Sequence, residues 1–260
     1  MVRKMAYLNK KLGIGLLMLI FSMQALKAQN NRLRDDNQIG WHAFFLNYKI
    51  NQTFSVHGEF QWRRTGFITD PQQDLYRTGL NIKLHQNAVA RVGYLYADTY
   101  SYGQIPLNSL GMEFPEHRMY QMLTLTNPVG LVQVSHRFML EQRWVGSFSD
   151  KMLERPDNFV YLNRARYMAR IDVPLKGKTI GNGIPYLAAY DELMIGFGKN
   201  VNQNVFDQNR IGILSGYRFS DHIRIEGGYF NQIVQLGRLV EGKNVFQGNR
   251  GYIINSYFNF

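Results

Sequence analysis

The chain has 260 residues, no cysteine, and 17 Phe, 16 Tyr and 3 Trp; 30 Lys+Arg against 19 Asp+Glu give a formal net charge of +11. Without cysteine there are no disulfide frameworks, thiolate zinc sites or cysteine nucleophiles. Mean hydropathy is negative, and no stretch beyond the N-terminus approaches the ~20 apolar residues of a transmembrane helix. Hydrophobicity is therefore spread thinly and regularly, as in β structure with one apolar face.

Arg3, Lys4, Lys10 and Lys11 precede a short apolar run, Leu12 to Met23, then Ala25-Leu26-Lys27-Ala28 and the polar QNNRLRDDNQ. This order predicts a cleaved signal peptide over residues 1–28, because the apolar run is too short to anchor in a bilayer. Without those residues the chain keeps 18 Arg and only 7 Lys against 19 Asp+Glu. A nucleic-acid tail would use more lysine, and no nucleic-acid partner is expected. Arginine in such excess points instead to fixed, hydrogen-bonded pairs.

A short segment, 29–37, leads into a repeating pattern: about ten alternating residues, then a turn. In Phe54 to Arg63, Phe54, Val56, Gly58, Phe60 and Trp62 share one parity; Ser55, His57, Glu59, Gln61 and Arg63 share the other. A period of two puts these sets on opposite faces of a strand. Eleven segments read this way: 38–48, 52–64, 75–85, 88–98, 116–127, 131–145, 160–172, 184–195, 207–219, 222–234 and 249–260. Connections alternate between short (50–51, 86–87, 127–130, 220–221, with 173–183 the irregular member of this set) and long (65–74, 99–115, 146–159, 196–206, 235–248). The apolar parity carries Trp62, Tyr94, Tyr96, Trp144, Tyr217, Tyr229 and Phe258, which suit interfacial girdles. These features predict an all-β, antiparallel transmembrane β-barrel over 38–260, in the outer membrane, its lipid the first partner. Bacterial barrels have even strand numbers, so twelve strands are expected, with ten as the alternative and one strand missed in the reading.

The polar parity gathers Glu59, Arg63, Arg77, Glu116, Arg118, Arg137, Glu141, Arg143, Arg164, Arg166, Glu192, Arg210, Arg224 and Glu226. In open water such a lining favours anions; in a narrow barrel it interlocks and fills the lumen. A narrow anion-leaning channel and a closed barrel with an Arg/Glu core are both expected readings. No cofactor or metal is expected: His57 and Glu59 share a face, but two ligands do not make a site. A lipid-modifying hydrolase is the enzyme alternative, though Ser135 and His136 are adjacent and point apart. An interaction subunit docked to another envelope protein is the other.

Glu116-His117-Arg118, Arg137 with Glu141-Gln142-Arg143, Arg164-x-Arg166-Tyr167, Tyr190-Asp191-Glu192, Phe206-Asp207-Gln208-Asn209-Arg210 and Gly228-Tyr229 occur in that order. This ordered set resembles the uncharacterised bacterial barrel family labelled domain of unknown function 2490, from about Trp41 onward. The resemblance implies an outer-membrane barrel of Gram-negative bacteria and carries no activity or catalytic residues with it. Asp191 and Glu192 cannot both face the lumen of a regular strand; a bulge or an end position would reconcile them. The chain stops on NRGYIINSYFNF, an alternating strand whose Phe258 and Phe260 resemble the terminal signal read by barrel-assembly machinery, an expected partner during biogenesis.

Overall fold

The computed structural model describes residues 32–260, all β structure and connections, without a helix. The expected signal peptide lies outside the described residues. The strands are β1 (Arg32–Lys49), β2 (Phe54–Thr65), β3 (Asp70–His85), β4 (Ala88–Thr99), β5 (Phe114–Val129), β6 (Val132–Ser147), β7 (Asn158–Pro174), β8 (Ile184–Phe197), β9 (Phe206–Arg218), β10 (Ile223–Val240) and β11 (Lys243–Asn259). They close into one barrel in which each strand pairs with its neighbours in sequence and β1 pairs with β11.

The described barrel thus has eleven strands, and the expectation of twelve is corrected. Each of the eleven segments read from the sequence is a strand, and no twelfth lies among the described residues. Strands joined by hairpins alternate in direction, so an odd number brings the first and last into the same direction. The seam between β1 and β11 is accordingly parallel, from Arg32 opposite Asn244 to Asn47 opposite Asn259, while every other neighbouring pair is antiparallel. Side chains sit abreast along its inner face: Asn37 Nδ2 donates to Asn249 Oδ1 at 3.2 Å, Asn47 Nδ2 to Asn259 Oδ1 at 3.1 Å, and Phe45 stacks on Tyr257 with centroids 4.7 Å apart. β1 begins at Arg32, six residues before the expected start, so most of the 29–37 segment is wall.

Strands of 12 to 18 residues exceed the ~10 that cross a bilayer, and two of the five expected long loops are largely strand. Residues 235–248 form a hairpin that turns at Glu241 and Gly242, with φ of 51° and 72°. Two central residues at positive φ make the type I′ geometry that matches strand twist. At the other end Asn51 Oδ1 accepts from the backbone N–H of Thr53 and Phe54 at 2.9 and 2.8 Å, a side-chain-capped turn between β1 and β2.

The apolar parity faces outward: Phe44, Leu46, Val56, Tyr76, Val92, Met119, Phe138, Leu140, Leu193 and Ile213 are all exposed on the outer wall. The lumen is not wholly polar. Ile39, Trp41, Tyr186, Ala188, Leu214, Phe230 and Ile253 form an apolar cluster inside it, which makes Ile253, out of place by parity, part of a lumen core. The wall is thinned where tyrosines lie flat against it. A Cβ on Gly212 would run into the ring of Tyr190, and one on Gly216 into that of Tyr186.

Candidate functional site in the barrel lumen

Residues at i and i+2 of a strand share a face, so Glu116 and Arg118, Glu141 and Arg143, and Arg164 and Arg166 all enter the lumen. Glu116 accepts from Arg118 Nε at 2.6 Å and Nη2 at 2.8 Å, and from Arg143 Nε at 2.5 Å and Nη2 at 3.2 Å. These are two forked, charge-assisted contacts on one carboxylate. Glu141 accepts from Arg164 Nε at 2.6 Å and Arg166 Nη1 at 2.9 Å, with Arg118 Nη1 at 3.7 Å. Arg164 Nη1 reaches Asp207 Oδ2 at 2.5 Å. Glu192 takes Arg166 Nη2 and Arg137 Nη2, each at 2.8 Å, with Arg210 Nη1 at 3.8 Å. The result is a continuous belt from β5 to β9, and its Glu116, Glu141, Arg164 and Glu192 are at most 2% exposed.

Two smaller networks flank it. Glu59 takes Arg77 Nη1 at 2.7 Å and His57 Nε2 at 3.2 Å, and accepts from Gln61 Nε2. Glu226 takes Arg170 Nη2 at 2.6 Å, Tyr257 OH at 2.8 Å, Tyr186 OH at 2.9 Å and Asn255 Nδ2 at 3.0 Å. Arg63 differs: it donates to Gln61 and Gln73 and stacks 4.0 Å over the Trp41 ring, with the Arg210 guanidinium 5.1 Å from the same ring. Arg224 stacks 4.0 Å over Tyr257. Among the described residues, no carboxylate lies within 4 Å of Arg63, Arg91 or Arg224.

All fourteen lumen residues named from the sequence sit on the inner wall, and the structure brings twelve of them into ion-pair networks, leaving out Arg63 and Arg224. Sequence parity misses Asp207, which enters the belt beside a register irregularity between Met194 and Ile195. It also misses Trp41, because parity assigns apolar residues outward. The available signal is that Ile39, Trp41 and Ala43 share a parity with Asp35 and Asn47. Asp191 needs neither a bulge nor a strand end: Glu192 points inward and Asp191 outward, where Asn209 Nδ2 donates to it at 2.5 Å.

Ser135 is inside the barrel, while His136 is outside, bonded to Tyr167 OH at 2.9 Å. Phe258 lies on the outer face opposite Leu46. Phe260 closes the seam: its N–H donates to Asn47 O at 2.8 Å, its carbonyl accepts from Lys49 N at 2.6 Å, and its ring stacks on His222.

Two cavities meet at this centre. One of about 220 Å³ lies toward the long-loop end, and one of about 400 Å³ lies toward the short-turn end; Trp41, Arg63 and Arg210 line both. The first is roofed by the loop between β4 and β5, residues 100–113. That loop reaches across the mouth to β1, β10 and β11. Ile105 N donates to Asp35 Oδ2 at 3.0 Å, Gln247 Nε2 to Ile105 O at 2.9 Å and Arg238 Nη2 to Pro106 O at 2.7 Å. Tyr102, 8% exposed, accepts from Asn249 Nδ2 at 3.2 Å, and burial raises its phenol above the usual value of 10.

The family described as "Protein of unknown function (DUF2490)" matches residues 38–238. The chain belongs to the DUF2490 family. None of the curated proteins matches the sequence. Among solved structures, the chain is similar to one described as "NanC porin structure in rhombohedral crystal form", with 11% identity, 85% of this chain and 98% of that chain covered, and a TM-score of 0.46. In this DUF2490 chain the site is a lumen crossed by an ion-pair belt with a cavity on either side.

Proposed function

We propose that this chain is an outer-membrane β-barrel whose lumen is shut at the waist by the Arg/Glu belt and the Arg63–Trp41–Arg210 stack. The single observation that carries this reading is that stack, which lines both cavities and whose Trp41 and Arg63 are buried. A buried charge is stable only when paired and hydrogen-bonded, and the belt satisfies its carboxylates from several arginines at once. A water-filled pore would not need such matching. The outward apolar wall supports a bilayer around it, since a closed barrel leaves no unpaired edge in lipid. The short turns then face the periplasm, and export proceeds through the signal peptide over 1–28. Phe258 and Phe260 serve as the address for barrel assembly.

The test is a planar-bilayer recording on protein that first shows the heat-dependent gel shift of a folded barrel. Wild type gives no conductance steps; Trp41→Ala combined with Arg63→Ala gives them. Steady steps from wild type would overturn the closed lumen. A second reading, a narrow anion-leaning channel, is favoured by one observation: at its centre the septum is a single indole with two guanidinium groups 4.0 and 5.1 Å from its ring. It requires wild-type steps with anion selectivity, lowered by Arg137→Ala and Arg166→Ala.

A further inference from the structure

The cavity on the short-turn side carries more cationic side chains than the lumen architecture uses. Eight arginines line it, against the carboxylates Glu59, Asp172 and Glu192. Five of those arginines reach a carboxylate within 4 Å. Arg63, Arg91 and Arg224 do not. Arg91 Nε donates to an amide, Asn81 Oδ1, at 2.5 Å, and Arg224 rests on a tyrosine ring. Among the described residues, two further donors in the same lining, Arg77 Nε and Arg137 Nε, are buried without a partner, the Arg77 side chain being 8% exposed. Buried donors without acceptors and cations without counter-charge are costly, and a ligand that supplies both offsets the cost.

We infer that this cavity is a binding site for a small multivalent oxyanion, entered from the short-turn end. The guanidinium fork matches the paired oxygens of a carboxylate or phosphoryl group. A volume of about 400 Å³ suits a small metabolite. The approach is basic as well: Lys49, Lys83 and Arg91 line a wider cleft at the mouth, where Asp221 is the one acidic side chain in the lining. A cleft of one sign focuses the opposite charge into itself. Toward the long-loop end the Trp41 stack makes the site blind, so the oxyanion is held rather than passed. Only this last point rests on the closed-lumen reading.

The experiment is calorimetric titration of folded, detergent-solubilised protein at low ionic strength with citrate, inorganic phosphate and, as a neutral control, glucose. Citrate or phosphate, or both, gives saturable heat that weakens as salt is added, and glucose gives none; a preference between the two acids says whether the natural ligand is a carboxylate or a phosphoryl compound. Arg91→Gln and Arg224→Gln each weaken binding roughly ten-fold, the scale of one lost charge-assisted contact. Among the described residues neither arginine has a carboxylate within 4 Å, so both variants retain the folded gel shift. Arg250→Gln, exposed on the outer wall, leaves binding unchanged. No saturable heat from wild type with either acid overturns the proposal without any variant, as does wild-type affinity in both glutamine variants. A conducting barrel that still binds citrate would overturn the closed lumen alone.

Discussion

Glu141 gives the sharpest test of the belt. Its carboxylate is 1% exposed and holds Arg164 at 2.6 Å and Arg166 at 2.9 Å, with Arg118 at 3.7 Å. Glu141→Gln keeps the shape and removes the charge. Breaking a buried pair costs roughly 3–5 kcal/mol, because the partner charge stays behind. Here each arginine keeps a second carboxylate: Arg118 has Glu116, Arg164 has Asp207 and Arg166 has Glu192. The expected loss is therefore at the lower end, about 3 kcal/mol. With a urea dependence of about 1–3 kcal/mol/M, the unfolding midpoint falls by about 1 M or more. The control is Asp36→Asn, since the Arg34–Asp36 pair is more than half exposed and worth at most about 1 kcal/mol. Adding Arg166→Gln to Glu141→Gln should cost less than the sum of the single changes, because the two share one contact. A midpoint shift for Glu141→Gln no larger than for Asp36→Asn, or strict additivity, would refute the belt as a source of stability.

Gly212→Ala should cost about 1–3 kcal/mol of stability, read from the same midpoint, since its Cβ would displace the Tyr190 ring. Gly58→Ala, with nothing nearer than Leu46 Cβ at 3.8 Å, should cost less than about 1 kcal/mol. Deleting Phe260 removes two backbone bonds across the seam and should deplete the heat-shifted band. Phe260→Ala keeps those bonds, so a comparable loss in that variant would assign the defect to the ring and not to closure. The burial of Tyr102 raises its pKa, so its contribution is complete below about pH 10 and falls as pH rises beyond that. Proteolysis of the 100–113 loop should accelerate above about pH 10 in wild type and change less with pH in Tyr102→Phe.

The strands and the two faces of the wall were legible in the sequence, because a period of two is a local property. Glu59, Arg118 and Arg166 could be placed in the lumen from parity alone. What parity could not give was closure: whether Arg32–Lys49 meets Lys243–Asn259 in parallel or through a twelfth strand depends on the whole ring. The apolar cluster around Trp41 and Phe230 is hidden for a related reason. Assigning hydrophobic residues to lipid is right for most of the wall, but a narrow lumen must also be filled, and Ile253 inside it reads as an exception until its neighbours are known. The hairpin at Glu241-Gly242 reads as a loop because its strands run past the apolar band, where alternation no longer separates lipid from water.

The parallel seam also sets an order of events. Its partners, such as Asn37 and Asn249, lie 212 positions apart, whereas each hairpin joins strands that are adjacent in the chain. Closing a longer loop costs more chain entropy, and contacts of high sequence separation form slowly. The hairpins can therefore zip one after another while β1 keeps an unpaired edge, a surface that invites wrong partners until it is covered. β1, the first of these strands to be synthesised, is half of the last contact to be made.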